Sequence, residues 1–183
     1  MDFEKVLPLI IKEFEKNNVR YALIGGFALG LLGVSRATVD IDFLVERDDI
    51  DKVENILQKF GYKCVYKTEN VSQFVSGLKP FGEIDFLHAF REISKKMLKR
   101  AKTVKVFEGK IKLKVLLPED IIGLKVQAIE NDPSRYEKEM WDIKAIMERW
   151  KRKINWEIVK EYFLLFSREK EFLELKKRYG KGK

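Results

Sequence analysis

The sequence predicts an α/β fold of the α+β kind, a mixed sheet with a helical C-terminal part, and three observations point to it. Short runs rich in β-branched and aromatic residues recur before residue 117, at Tyr21 to Ile24, Tyr62 to Tyr66, Val71 to Leu78 and Glu83 to Leu87. Helical spacings lie between them. From Pro118 onward the apolar period is helical throughout, so the chain divides into a core of residues 1–116 and a helical subdomain of residues 117–183.

Phe3 to Asn17 carries apolar residues at 3, 6, 7, 10, 11 and 14, a helical spacing that Pro8 should bend or displace at its start. Tyr21 to Ile24 is a short strand ending at Gly25-Gly26, and Phe27 to Leu32 a short helix stopped by Gly33. Ser35 to Val45, SRATVDIDFLV, reads as a second strand. Asp48-Asp49 then caps a helix with apolar positions Ile50, Val53, Ile56, Leu57 and Phe60, ended by Gly61. After the three β runs from Tyr62 to Leu87, Ile93 to Ala101 is helical, and Val104 to Phe107 pairs with Ile111 to Leu116 across Glu108-Gly109. The closing helices are 118–130, 134–150 and 155 to about 175, with Asn131-Asp132-Pro133 as a break and the basic end from Lys176 to Lys183 as a frayed tail.

Composition narrows the setting. A chain of 183 residues, 45% hydrophobic and 36% charged, can bury a core of moderate size. The single cysteine, Cys64, cannot form an internal bridge, and the apolar run Leu23 to Val34 is too short and glycine-rich to span a bilayer. The acidic start lacks the layout of a secretory signal, which places the protein in the cytoplasm with no membrane partner. Of the net charge of +8, residues 1–90 contribute 11 Lys and Arg against 14 Asp and Glu, so the second half is the basic one. That asymmetry suits either a phosphate-rich partner such as RNA or a lysine-rich solvated face.

The chemistry concentrates in acidic residues set among apolar ones. On a strand, residues i and i+2 face one side, so Asp40 and Asp42 project together while Ile41 and Phe43 enter the opposite layer. Two carboxylates that close repel each other unless a cation joins them, and a hard, oxygen-seeking ion such as Mg²⁺ does so. Glu83-Ile84-Asp85-Phe86-Leu87 repeats the pattern and makes Asp85 the candidate third ligand. Three carboxylates from two strands can hold two metal ions roughly 3.5 to 4 Å apart, an arrangement suited to phosphoryl or nucleotidyl transfer. The plain alternative is a set of solvent-facing residues on a one-sided sheet. Gly25-Gly26 stands where a strand gives way to a helix; glycine there lets backbone N–H groups approach a phosphate, or else serves a tight turn. Thirteen residues separate the pair from Asp40, enough for a short helix and a return strand.

Taken together, Leu23-Ile24-Gly25-Gly26, Asp40-Ile41-Asp42-Phe43 and Ile84-Asp85-Phe86 resemble the signature of the polymerase-beta-like nucleotidyltransferase superfamily. The resemblance implies a nucleotidyltransferase core in which Asp40, Asp42 and Asp85 are catalytic and bind two Mg²⁺ ions. Asp85 would contact the catalytic ion and help to activate the acceptor hydroxyl, and Gly25 and Gly26 would hold the triphosphate of an NTP. Gly26 stands where many polymerases carry Ser, so that hydroxyl contact is absent. Arg36-Ala37-Thr38-Val39-Asp40-Ile41-Asp42 is similar to small bacterial and archaeal nucleotidyltransferases of abortive-infection and toxin-antitoxin type. Arg36 would then meet a phosphate or pin Asp40, while Thr38 serves as a nucleotide ligand or simply as a β-former. Pro118 to Ala128, Asn131 to Arg135 and Asp142-Ile143 look like the C-terminal motifs of that group, which implies a phosphate role for Lys125 and a supporting role for Asp142. Glu139 departs from the usual Asp. Simpler readings are a snorkelling Lys125 and i,i+4 pairs of Asp142 with Lys138 and of Arg135 with Glu139.

The expected activity is transfer of a nucleoside monophosphate from an NTP to an acceptor hydroxyl, on an RNA 3′ end such as tRNA, a protein or a small molecule. A cognate antitoxin or toxin is a possible partner by resemblance alone. The competing readings are a non-catalytic nucleotide- or partner-binding module of the same fold, such as an antitoxin, and a basic RNA-binding domain. His88 reads as structural, and Trp141, Trp150, Trp156, Tyr162, Phe163 and Phe166 as helix-packing residues.

Overall fold

The structure is a computed structural model and describes residues 1–180. α1 (Phe3–Lys16) starts well before Pro8, which lies inside the helix and does not displace its start. β1 (Tyr21–Ile24) runs directly into α2 (Gly25–Leu31), so the glycine pair forms the first turn of that helix. β2 (Ile41–Glu46) begins later than the sequence suggests: Ser35 to Asp40 is not strand, and Asp40 sits in the bend before it. A 3₁₀ turn at Arg47–Asp49 leads into α3 (Ile50–Lys59), followed by β3 (Tyr62–Lys67), β4 (Val71–Ser76), β5 (Glu83–Ala89), α4 (Glu92–Arg100), β6 (Lys102–Val106) and β7 (Ile111–Val115). Asp49 occupies the N-cap position of α3 without capping it. Its carboxylate instead accepts from the backbone N and Nε of Arg20, each at 2.9 Å, and from Lys52 Nζ at 2.7 Å, because a buried charge is better served by cations than by an amide at a helix end.

The strands form one seven-stranded mixed sheet in the order β3-β4-β5-β2-β1-β7-β6. β1 and β2 are antiparallel, and β2 and β5 are parallel. One face of the β5-β2-β1 region buries an aromatic cluster in which Phe14 of α1 contacts Tyr21, Phe43 and Phe86. Phe74 extends the cluster onto β4 at 5.6 Å from Phe86. β4 and most of β5 alternate in burial with period two, as strands of a sheet packed on one face do, whereas the central strands β1 and β2 are buried almost throughout.

The helical part comprises α5 (Pro118–Asn131), a 3₁₀ turn at Pro133–Arg135, α6 (Tyr136–Trp150), α7 (Trp156–Leu165) and α8 (Glu169–Tyr179). The single helix expected from 155 to about 175 is two, separated at Phe166-Ser167-Arg168, where Ser167 takes φ +57°. Asn155 caps α7 by accepting from the N–H groups of Glu157 and Ile158. Gly123 of α5 is held flat against Tyr162 of α7, where an added Cβ would lie 2.7 Å from the ring, and the Tyr162 hydroxyl donates to buried Asp120 at 2.5 Å. Lys176 to Tyr179 form the last turn of α8 rather than a frayed tail; residues 181–183 lie outside the described residues. Trp141 is 57% exposed and does not pack as a core residue.

The chain splits into two compact units: Met1–Ala28 with Arg36–Leu116, and Leu29–Ser35 with the segment from Leu117 onward. The first holds the sheet, the second the C-terminal helices. In the second, Trp150 Nε1 donates to the Leu32 carbonyl at 2.9 Å, which accounts for the membership of the short segment after Ala28. Among the described residues, no helix is long and apolar enough to cross a membrane.

Candidate active site

Three elements of the first unit converge at the end of β1. Ile24 lies opposite Asp42 in the antiparallel pair, and Asp42 lies opposite Asp85 in the parallel pair, so register alone places the two carboxylates side by side on neighbouring strands. Asp40 joins them from the bend before β2. One carboxylate oxygen from each of Asp40, Asp42 and Asp85 lies within 4.8 Å of the others.

The glycine pair is shaped around this cluster. Gly25 has φ +66°, and an added Cβ would fall 1.8 Å from Asp42 Oδ2, so both conformation and space demand glycine. At Gly26 an added Cβ would lie 2.7 Å from the Cβ of Thr38. The Thr38 side chain therefore occupies the space a serine at position 26 would need. Thr38 is not a strand residue; its hydroxyl donates to Asp40 Oδ1 at 2.7 Å and fixes that carboxylate in the bend. Arg36 lies two residues before it, half-buried.

Asp85 carries the electrostatic signature of the site. Burial, and then the negative charge of Glu83, push its carboxyl up to about 6; a hydrogen bond from Gln73 works the other way and Asp40 adds to the rise. Asp85 Oδ1 is buried without a hydrogen-bond partner. An all-carboxylate donor set with an orphaned buried oxygen fits a hard divalent cation bound through oxygen. Gln73 and Glu83 were not apparent as site residues from sequence: Gln73 lies opposite Asp85 on β4, and its Nε2 donates to Glu83 Oε1. Period-two alternation from Asp85 would have found Glu83, but Gln73 enters only through cross-strand register.

Lys125 and Asp142 belong to the second unit and meet each other there. Lys125 Nζ pairs with Glu139 at 2.8 Å and with Asp142 at 2.5 Å; the lysine side chain is 12% exposed, and those of Glu139 and Asp142 are 3% and 0%. Lys125 is thus a buried ion-pair centre and not a snorkelling residue. Asp142 accepts from this lysine on α5, and Lys138 is exposed. Arg135 does pair with Glu139. Burial raises the Glu139 carboxyl, but Lys125 and Arg135 outweigh it and hold the group below its ordinary range. His88 faces away from Asp85 on the packed side of β5, between the Ser72 hydroxyl at 2.9 Å and the Glu69 carbonyl at 3.0 Å, and burial pushes its pKa down. A carbonyl at Nδ1 makes that nitrogen the donor and leaves Nε2 to accept from Ser72.

The fold is shared with known proteins. It is similar to the solution structure of the antibiotic-resistance factor ANT(2'')-Ia, with a TM-score of 0.64 and 17% identity over 97% of this chain and 99% of that one. An antigenic nucleotidyltransferase-like protein from Paracoccidioides brasiliensis aligns with a TM-score of 0.58 and 16% identity over 96% and 92% of the two chains. The lincosamide antibiotic adenylyltransferase LnuA gives 0.54 and 20% over 78% and 95%. At these identities the likeness is one of fold. No curated protein matches the sequence. Residues 3–164 match a family described as uncharacterised nucleotidyltransferase, and the chain belongs to that family, within the polymerase-beta-like superfamily that its glycine pair and three aspartates resemble.

Proposed function

We propose that this protein is a Mg²⁺-dependent nucleotidyltransferase that moves a nucleoside monophosphate from an NTP to an acceptor hydroxyl. The observation that carries the reading is the convergence of Asp40, Asp42 and Asp85 within 4.8 Å beside a glycine turn that admits no side chain. Asp40, Asp42 and Asp85 would hold two Mg²⁺ ions, which supply positive charge to the triphosphate and to the reacting oxygens. Thr38 keeps Asp40 turned toward the cluster. Gly25 and Gly26 open their backbone N–H groups, at the first turn of α2, to the phosphates. Arg36, by the resemblance of its motif, would meet a phosphate or pin Asp40.

In the reaction the acceptor oxygen attacks the α-phosphorus while its proton passes to the Asp85 carboxylate. The bond from the α-phosphorus to the bridging oxygen breaks, and pyrophosphate leaves. Register sets Asp85 beside Asp42, and one of its buried oxygens has no hydrogen-bond partner, which supports that role. Phosphate binding by Lys125, with Asp142 in support, rests on the resemblance of the C-terminal motifs; the ammonium has three donors, and its pairs with Glu139 and Asp142 use two of them. A toxin or antitoxin role likewise rests on resemblance. Two of the fold neighbours are named as antibiotic-resistance or antibiotic-modifying proteins, which favours a small-molecule acceptor over RNA or protein.

Transfer of label from α-labelled NTPs to total RNA, lysate protein and a small-molecule fraction, with and without Mg²⁺, tests the reading. We expect Mg²⁺-dependent labelling that falls at least ~100-fold in Asp42→Ala. Absence of labelling with every nucleotide would leave a binding module in place of an enzyme.

A further inference from the structure

Beyond Asp85 the sheet continues through β4 to β3, and its two faces differ. On one face Ser72, Phe74, Ser76, Ile84, Phe86 and His88 are all buried. On the other, which carries Asp85, Val71, Gln73, Val75, Glu83, Asp85 and Leu87 stay half-buried or exposed, and only Ala89 at the end of β5 is buried. Register lays a row across this open face: Asp42 opposite Asp85, Asp85 opposite Gln73, and Gln73 opposite Tyr66, which is 55% exposed. Glu83 faces the same way, tied to Gln73 by the hydrogen bond from Nε2 to Oε1. That bond leaves the Gln73 carbonyl and the other Glu83 oxygen as acceptors. Among the described residues of β3, β4 and β5, register places one cation on this face, Lys63, opposite Val75 near the sheet edge.

We infer that this open face seats the acceptor, with Gln73 and Glu83 as specificity-determining residues, and that the acceptor is a phosphate-free hydroxyl compound with a hydrogen-bond donor, most favourably an ammonium, next to the reacting hydroxyl. The inference rests on the nucleotidyltransferase reading above and narrows it. The available groups beside Asp85 are acceptors, so the complementary molecule presents donors. A phosphate in the same place would lie against Glu83 and Asp85 with no cation between them, whereas the basic excess of the chain lies in residues 91–183. Tyr66 adds an aromatic face at the rim on which an ammonium or an apolar ring can rest. The row is continuous with the proton-accepting carboxylate, so a hydroxyl next to a donor held by Glu83 falls beside Asp85.

The test supplies the full chain with Mg²⁺, each α-labelled NTP and three acceptor pools: amino sugars and amino alcohols, uncharged polyols of matched size, and total RNA. Label is expected in the amino compounds first. Glu83→Gln should raise KM for the amino acceptor ~10-fold while moving KM for NTP less than ~2-fold, the scale of a lost charge-assisted hydrogen bond. Tyr66→Ala, at an exposed position where folding is insensitive, should raise the acceptor KM ~3-fold or more. Label in RNA, or no label in any small-molecule pool, overturns the inference, as does a Glu83→Gln enzyme with unchanged acceptor KM. Titration of NTP in the presence of Mg²⁺ separates the two levels: binding without transfer to these acceptors sinks this inference alone, whereas absence of binding sinks the nucleotidyltransferase reading beneath it.

Discussion

Asp85 combines a cost to the fold with a use in the site. Its carboxyl is pushed up to about 6 by burial and by Glu83, so the ionised form is the one the folded protein disfavours. The sign follows from linkage: the folded value lies above the unfolded one, so the penalty is fully present above about pH 6 and gone below the ordinary carboxylate range near pH ~4. Without metal, Asp85→Asn should therefore melt about 2–4 °C above the wild type near pH ~7.5, for a gain of about 1 kcal/mol after allowance for solvent screening. The gap should close on acidification to about pH 4, and scanning calorimetry in EDTA across that range checks it. Gly25 makes the opposite case. A methyl group there meets Asp42 Oδ2 at 1.8 Å on a backbone already at φ +66°, so Gly25→Ala must displace the carboxylate. We expect kcat/KM to fall ~100-fold or more from that displacement, measured by label transfer.

At the scale of elements, α5 and α6 are joined by a buried ion network as well as by apolar packing. Lys125 serves Glu139 and Asp142, and Arg135 serves Glu139 again from the first turn before α6. Removing one member of such a group leaves the others charged and unpaired, which costs more than the group is worth as a whole. Lys125→Met should destabilise the protein by about 3–5 kcal/mol in urea unfolding, and the triple replacement Lys125→Met, Glu139→Gln, Asp142→Asn should recover most of that loss. A single mutant as stable as the wild type would show that the network bears little of the stability of these helices. The same network explains why Lys125 could sit in an apolar stripe without snorkelling: its ammonium is neutralised inside.

For the whole molecule, ligand linkage tests the proposal without knowledge of the acceptor. An NTP that binds the native chain only with Mg²⁺ stabilises it by about 2.7 kcal/mol at a hundred times its Kd. Thermal melts should thus rise further with NTP and Mg²⁺ together than with Mg²⁺ alone, stay put with NTP alone, and lose the response in Asp40→Ala. A rise with NTP in EDTA would show that nucleotide binds without the carboxylate-held cation.

Much of this architecture is legible in the sequence, because strand alternation, helical spacing and glycine punctuation are local properties. The sequence by itself determined the α/β class, the order of strand and helix types, and that Asp40, Asp42 and Asp85 each stand beside residues bound for the core. Their meeting was decided by register: β2 pairs with β5 in parallel across 43 residues of sequence, and no local pattern encodes which residue lies opposite which. Thr38 read as a β-former because its hydroxyl finds Asp40 only once Ser35 to Asp40 leaves the strand, and Asp49 read as a cap because Arg20, its partner, is 29 residues away. The tertiary structure alone decided these pairings, as it did that of Lys125 with Asp142, since the energy of a buried charge depends on which distant groups the packing brings to it.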